Sequence, residues 1–394
     1  MAPVRHLFFF FFTAPVLSPY IAGKTLYLYL LLPFADPGFW RYVFRELHIG
    51  RPELAACALL FAVTAMHLDV MLIARLVTTL LCVVYIIYTM RFDGLSLLYL
   101  YLGVNVAIAL AQFVLVFVNP EWANMIGPAH IAELVWGQFA TPTFTNFFAI
   151  FLFPRVSGLS REAGFFGALI SVALALIVMT PRQHRPTRWT VAILLLGYVL
   201  SFSKISFGLP IFLVIYRLRR YLGGVPLSVT VLAVFFILCT ALSQLWRDQA
   251  ISMEHGGSVV HRASGYIFLT HQSDLTDFLW GREGPQIARE DHDDQVVRDV
   301  LVISGPSEYM FPGLSGLVVN YGVLFLAGLL FALRGLGMRS AGFLYLFVLT
   351  INVTIITTTS FVVLAYLVAL DIPRRVELRR FQAGAYNDGL GVPA

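Results

Sequence analysis

Charged residues are scarce in this chain of 394 residues: they make up 12% of the sequence, whereas hydrophobic residues make up 59%. A soluble protein of this size would carry about a quarter charged residues, so the composition excludes an ordinary soluble enzyme. Apolar runs recur along most of the chain, as is typical of membrane-spanning helices. We therefore predict an all-α, polytopic transmembrane helical bundle in which residues 1–394 form a single integral membrane domain.

Cysteine and metal-ligand patterns are equally sparse. The three cysteines, Cys57, Cys82 and Cys239, all lie within apolar runs and form no C-x-x-C pair, which excludes a disulfide framework or a zinc-type site. Of the four histidines in the long polar segment, His255, His261 and His271 lack helical ligand spacing, and no phosphate-loop motif is present. The sequence therefore predicts no metal, no cofactor and no ATP-driven chemistry.

The net charge of +5 arises from short basic clusters beside apolar runs, where such clusters set topology, and we expect no nucleic-acid partner. Four short connectors between apolar runs are rich in lysine and arginine. All four are cytoplasmic only if 189–216 crosses the membrane twice, with Lys204 at the outer turn. That arrangement gives about twelve passes with both termini inside. The basic connectors are 181–188, 217–220, 334–339 and 374–380.

The predicted apolar runs have lengths suited to helices, apart from one broken block. Residues 7–34 contain Pro15, Pro19 and Lys24, and we predict either two short passes or one kinked pass there. A Gly-rich tail at 383–394 is predicted to be disordered. The other runs are 52–67, 70–90, 94–118, 163–180, 189–202, 205–216, 225–243, 311–333 and 341–370.

The long polar segment 244–308 organises the chain, because apolar runs flank it on both sides. It contains many of the aspartates and glutamates of the chain. The predicted topology places it outside the membrane, on the same side as 119–162. We expect the membrane helices to hold a reaction site beneath this loop.

The segment from Arg155 to Glu162, with Arg161 beside it, places two arginines and a carboxylate where a helix begins. One interpretation is a pair of interfacial arginines and a helix cap. The other is an anion clamp in which Arg155 grips a phosphate and Glu162 orients the arginine, since a guanidinium matches phosphate oxygens bidentately.

Further candidate residues also allow two interpretations. Lys204 lies between two apolar helices, as a turn residue reaching the headgroups or as a functional charge. Glu308, where the long loop ends, is either part of a helix cap or a general base acting on an acceptor hydroxyl. In the long loop, Arg262 is either a surface arginine that pairs with one of the loop acids or a functional charge.

The order of these motifs resembles the O-antigen polymerase and ligase superfamily of bacterial inner membranes. The similarity covers about residues 150–370. It is carried by the block Arg155–Glu162, the serine-rich turn Ser201–Lys204, Arg262 in a long external loop, the W-G-R-x-G turn Trp280–Gly284, and Ser307-Glu308-Tyr309 followed by Asn320-Tyr321-Gly322.

The resemblance implies a metal-independent, inverting glycosyltransferase of the multi-pass C type. Its donor and acceptor would be glycans on undecaprenyl diphosphate, used at the periplasmic face of the inner membrane. The resemblance implies that Arg155 and Arg262 bind the diphosphate, with Arg282, Arg247 and Lys204 as further ligands. Glu162 would hold an arginine in place and Glu308 would act on the acceptor. Membrane lipids, a chain-length regulator and a flippase are the expected partners.

The ligase branch of that superfamily carries a histidine motif before the helix that follows the long loop, whereas this chain reads Ile303 to Tyr309 without histidine. That difference favours a polymerase of repeat units for O-antigen, capsule or exopolysaccharide over a ligase. A lipid-linked oligosaccharide flippase or transporter is the main alternative from another class, and it predicts broken helices and internal repeats. A non-enzymatic scaffold for envelope export is the third.

Overall fold

The computed structural model describes residues 2–21, 24–47, 70–93, 95–143, 149–150, 153–180, 185–203, 208–218, 274–281, 318–319 and 321–328, with isolated positions between 54 and 65. This part of the chain is mostly helical. The helices are α1 (Ala2–Thr13), α2 (Leu28–Leu31), α3 (Pro37–Arg45), α4 (Val70–Asp93), α5 (Ser96–Val118), α6 (Pro120–Met125), α7 (Pro128–Trp136), α8 (Ala163–Met179), α9 (Arg188–Ser201), α10 (Gly208–Leu218) and α11 (Leu275–Trp280).

Short non-helical pieces lie between some of the helices in the described ranges. Two antiparallel hairpins are present in the described ranges: β1 (Tyr20–Ile21) with β2 (Lys24–Thr25), and β3 (Ala149–Ile150) with β4 (Phe153–Pro154). Their registers place Tyr20 opposite Thr25 and Ala149 opposite Pro154. Residues 318–319 and 321–328 are also helical, and single 3₁₀ turns occupy Pro15–Leu17, Leu32–Ala35 and Gly137–Phe139.

Among the described residues, two helices are long and apolar enough to cross a membrane: residues Leu76–Asp93 of α4, and α5. Helix α8 has 17 residues and α9 has 14, and both are apolar. At a rise of about 1.5 Å per residue, α8 is about 26 Å long and α9 about 21 Å. The described ranges are thus mostly helical, in agreement with the predicted helical class, and the bundle of about twelve helices stays a prediction.

The start of the chain differs from both arrangements predicted for 7–34. Helix α1 ends at Thr13, and its last turn is closed by the Thr13 hydroxyl, which donates to Phe9 O (3.0 Å). Pro15 then opens a 3₁₀ turn, and Lys24 lies in the small β1–β2 hairpin. Because proline has no backbone N–H to donate, the helix does not continue, and one short helix leads into non-helical chain.

Helix α5 is the centre of the described bundle, with α1 on one side and α9 on another. Helix α8 packs on α9 and is buried along almost its whole length, and α10 packs on α8. The His6 ring contacts the Tyr101 hydroxyl (3.0 Å), and Asn105 Nδ2 donates to Thr13 O (3.0 Å). Because the residue numbers of the contact partners increase in the same direction along both helices, α1 runs parallel to α5.

Helix α9 also runs parallel to α5. A Cβ at Gly103 would lie 4.0 Å from Ile193 Cγ2, and Gly197 lies directly against Val106. Residue 201 is thus level with about residue 110, so α9 ends about 12 Å short of the end of α5. This difference in length leaves the final turns of α5 beyond the end of α9.

The end of the bundle where α4 finishes and α5 begins is basic. Arg5 Nη1 pairs with Asp93 Oδ2 (2.5 Å), and its guanidinium lies 4.6 Å from the centre of the Phe92 ring. Arg91 pairs with Glu46 (2.5 Å) and lies over Tyr42. Since α9 is parallel to α5, Arg188 at its start belongs to this same end.

Gly197 provides a test of the helix packing. A Cβ there would lie 2.6 Å from Ile170 Cδ1 and would overlap Val106, so Gly197→Ala is expected to destabilise the protein by about 1–3 kcal/mol. The matched control is Gly103→Ala on α5, where the added methyl makes only ordinary contact and alanine favours the helix. Thermal unfolding of the detergent-solubilised protein measures both. Equal unfolding temperatures for the two variants would contradict this packing.

Candidate functional site

The segment 155–160 forms an ordered turn between β4 and α8. Gly158 has a φ of +58°, a conformation that favours glycine, and Ser160 N donates to Ser157 O (3.0 Å). A Cβ at Gly158 would lie 2.7 Å from Asn105 O. Glycine is therefore required here both by the backbone angle and by the close approach of α5.

Two buried amide side chains of α5 hold this turn. Gln112 Oε1 accepts from Gly158 N (3.0 Å), and Gln112 Nε2 donates to Gly158 O (3.0 Å). Asn105 Oδ1 accepts from Leu159 N (2.8 Å). Side chains of α5 thus bond the backbone at 158–159 in the way that the backbone of a neighbouring strand would. We name Asn105 and Gln112 the amide clamp.

The end of α9 holds the same segment from a second direction. Val156 N donates to Leu200 O (3.4 Å), and the Phe153 ring stacks on Phe202 with ring centres 5.5 Å apart. Phe202 itself has a φ of +38°, which ends the helix. Two motifs singled out in the sequence, the Arg155 block and the serine-rich turn from Ser201, therefore lie side by side.

Arg155 is half-buried at the start of this turn. Its Nε is buried and has no hydrogen-bond partner, and no carboxylate of the described ranges lies within 4.0 Å of its guanidinium. Arg5 also has a buried Nε without a partner, but Asp93 balances its charge. Among the described residues Arg155 is thus a partly covered cation with no carboxylate beside it, and such a group suits an anionic ligand.

Glu162 lies apart from Arg155. It occupies the N-cap position of α8 with extended backbone, its side chain is exposed, and that side chain caps no helix N–H. No ion pair joins it to Arg155 or to the exposed Arg161, all three of which the structure describes. This geometry does not support a role for Glu162 in orienting Arg155, because the carboxylate is in solvent while the guanidinium is partly covered.

The W-G-R-x-G turn and the N-Y-G motif also meet. Gly281 has a φ of +82°, Gly322 has a φ of +80°, and a Cβ at Gly281 would lie 2.6 Å from Gly322 N. Trp280 packs against the buried core that contains Tyr321, whose ring stacks on Phe325 at 4.7 Å. The end of α11 therefore docks backbone to backbone on the helical residues 321–328.

The other predicted site residues lie outside the described residues: Lys204, Arg247, Arg262, Arg282 and Glu308. The convergence of Arg155 with Arg262 thus stays a prediction. Of the proposed ligands, Arg155 and Glu162 are placed, and they are not brought together.

The amide clamp is the part of the site that sequence analysis missed. Asn105 and Gln112 lie within an otherwise apolar run and are seven residues apart, which places both on one face of the helix. Buried amides in apolar helices require hydrogen-bond partners and are often functional, so this spacing was the available signal.

Comparison with known proteins adds no relative: no family model, no curated protein and no solved structure matches this chain.

Proposed function

We propose that this chain is an integral membrane glycosyltransferase that polymerises oligosaccharide repeat units carried on undecaprenyl diphosphate. In this proposal the whole chain forms a bundle of about twelve helices in the bacterial inner membrane, with its reaction site at the periplasmic face. The observation that carries it is the partly covered guanidinium of Arg155, held at the end of the helices without a protein anion within 4.0 Å among the described residues.

The distribution of charge supports the orientation. Arg5, Arg91 and Arg188 lie at the end where α5 begins, and the positive-inside rule assigns such an end to the cytoplasm. The Arg155 segment contacts α5 at Asn105, near the middle of the helix, and at Gln112, in the half nearer the other end. Arg155 therefore lies toward the outer face, where lipid-linked repeat units are joined.

The chemistry is a displacement at the anomeric carbon of the donor sugar. An acceptor hydroxyl oxygen forms a bond to that carbon, the bond from the carbon to the lipid diphosphate oxygen breaks, and the configuration inverts. The diphosphate leaves with the electron pair, and a fixed guanidinium stabilises the negative charge that develops there. No metal is needed for this role, because arginine supplies the positive charge and fits phosphate oxygens bidentately.

The remaining roles in the proposal belong to residues outside the described ranges. Glu308 accepts the proton of the acceptor hydroxyl as a general base. Arg262 joins Arg155 on the diphosphate, and further positive charge comes from Lys204, Arg247 and Arg282. A flippase that delivers the lipid-linked units and a chain-length regulator are the protein partners.

The test is the pattern of lipid-linked glycans in cells that lack this protein. We expect single repeat units to accumulate on the lipid carrier at the outer face, and a plasmid copy of the gene to restore polymer. Repeat units trapped at the inner face would indicate a flippase, and full polymer left on the lipid carrier would indicate a ligase. Either of those patterns, or unchanged polymer, would contradict the polymerase proposal.

A further inference from the structure

Every hydrogen bond of the amide clamp goes to a backbone group. Asn105 bonds Leu159 N and Thr13 O, and Gln112 bonds both the N–H and the carbonyl of Gly158. Gln112 Nε2 also donates to Ile126 O (2.8 Å), at the end of α6. The two side chains therefore join three separate segments to one helix: the end of α1, the residue that follows α6, and the turn at 158–159.

Amides are costly choices for the buried face of an apolar helix. Each must be fully bonded, and leucine at the same positions would pack without that requirement. Both are buried here, with 2% of Asn105 and 0% of Gln112 exposed, and they bond two consecutive residues, Gln112 to Gly158 and Asn105 to Leu159. Those residues follow Arg155 by three and four positions, so the clamp sets the path of the chain that carries the guanidinium.

We propose that Gln112 and Asn105 are positioning residues of the Arg155 site, which fix the arginine at one height along the bundle so that its fork meets a lipid diphosphate. This inference rests on the proposed function. Bidentate contact requires the guanidinium to be placed within about half an ångström, and a turn held only at Val156 N by Leu200 O would not provide that precision. The clamp acts through Arg155 and does not touch the ligand.

The prediction is a loss of affinity that depends on Arg155. Gln112→Met keeps the length of the side chain but replaces its amide with an apolar thioether, which removes both bonds to Gly158 and the bond to Ile126 O. It is expected to weaken farnesyl diphosphate binding about tenfold in the full-length protein in nanodiscs. In an Arg155→Ala background the same change should have no further effect on the Kd, whereas its effect on thermal stability should remain. Asn105→Leu is the second variant, and we expect the same dependence on Arg155.

Two controls separate positioning from general loss of structure. Asn119→Ala removes another amide that bonds backbone, since Asn119 Oδ1 accepts from Glu121 N (2.9 Å) and Trp122 N (3.4 Å) at the start of α6 and not from the Arg155 segment. It should lower stability and leave the Kd unchanged. Farnesol, which has the same tail without the diphosphate, should bind wild type and Gln112→Met equally.

The outcomes distinguish the inference from the proposed function. If wild type does not bind farnesyl diphosphate, or Arg155→Ala binds it as tightly as wild type, the proposed diphosphate site is wrong. If Arg155→Ala weakens binding but Gln112→Met and Asn105→Leu keep wild-type affinity, only the positioning role is wrong. If the clamp variants lose affinity equally in the presence and in the absence of Arg155, the positioning role is wrong as well.

Discussion

Arg155→Ala is expected to lower polymer output about a hundredfold or more while the amount of membrane-inserted protein stays unchanged. Removing one fixed donor to a developing oxyanion typically has an effect of this size, because the site is partly shielded from water. The Arg155 guanidinium has no ion pair within the described ranges whose loss would destabilise the fold. The measurement is the length distribution of lipid-linked glycans, together with immunoblotting of the membrane fraction.

The matched control for that experiment is Arg161→Ala. Arg161 lies in the same segment and carries the same charge, but its side chain is exposed, and its backbone carbonyl alone accepts the Thr143 hydroxyl (2.6 Å). Its loss should leave polymer near normal. Arg155→Lys should fail to restore activity, since an ammonium lacks the planar fork. Full activity of Arg155→Lys, or equal losses at both arginines, would indicate general charge steering.

Sequence predicted the long helices of the described ranges because apolar run length alone decides them. The run predicted at 70–90 forms Val70–Asp93, and the one at 163–180 forms Ala163–Met179. Helix α9 ends at Ser201, within one residue of the predicted end. Phe202, the next residue, has a left-handed backbone conformation, although neither glycine nor proline marks the helix end there. These runs share apolar surroundings, either neighbouring helices or lipid, and the apolar composition of each run reflects those surroundings.

The candidate site was only partly predictable, because its geometry comes from contacts between distant parts of the chain. Arg155 was singled out by residue type, but its partly covered state depends on α5, more than forty residues earlier in sequence. Nothing in the local sequence predicted that the Glu162 side chain is exposed, because a glutamate just before a helix could equally cap that helix. Asn105 and Gln112 carry meaning only once Gly158 lies beside them.

The two glycine motifs gain a structural role in the same way. In sequence Gly281 belongs to a predicted turn and Gly322 to the N-Y-G motif of a predicted helix, about forty residues apart; in the fold each occupies the space that a side chain on the other would need. This contact fixes one point of the long polar segment, the end of α11, on the helical residues 321–328. Gly281 therefore joins the predicted external loop to the helical core.

Gly281→Ala is expected to destabilise the protein by about 2 kcal/mol more than a matched change elsewhere, through steric overlap between backbones. A methyl at Gly281 would lie 2.6 Å from Gly322 N and from Tyr321 N, and backbone atoms cannot rotate away as a side chain would. The control is Gly137→Ala. Gly137 also has a positive φ, +55°, but no heavy atom lies within 4 Å of the added methyl. Both changes strain the backbone, so the difference in their unfolding temperatures in detergent isolates the contact. Equal temperatures, or normal polymer from Gly281→Ala, would show that the end of α11 does not rest on Gly322 in the working protein.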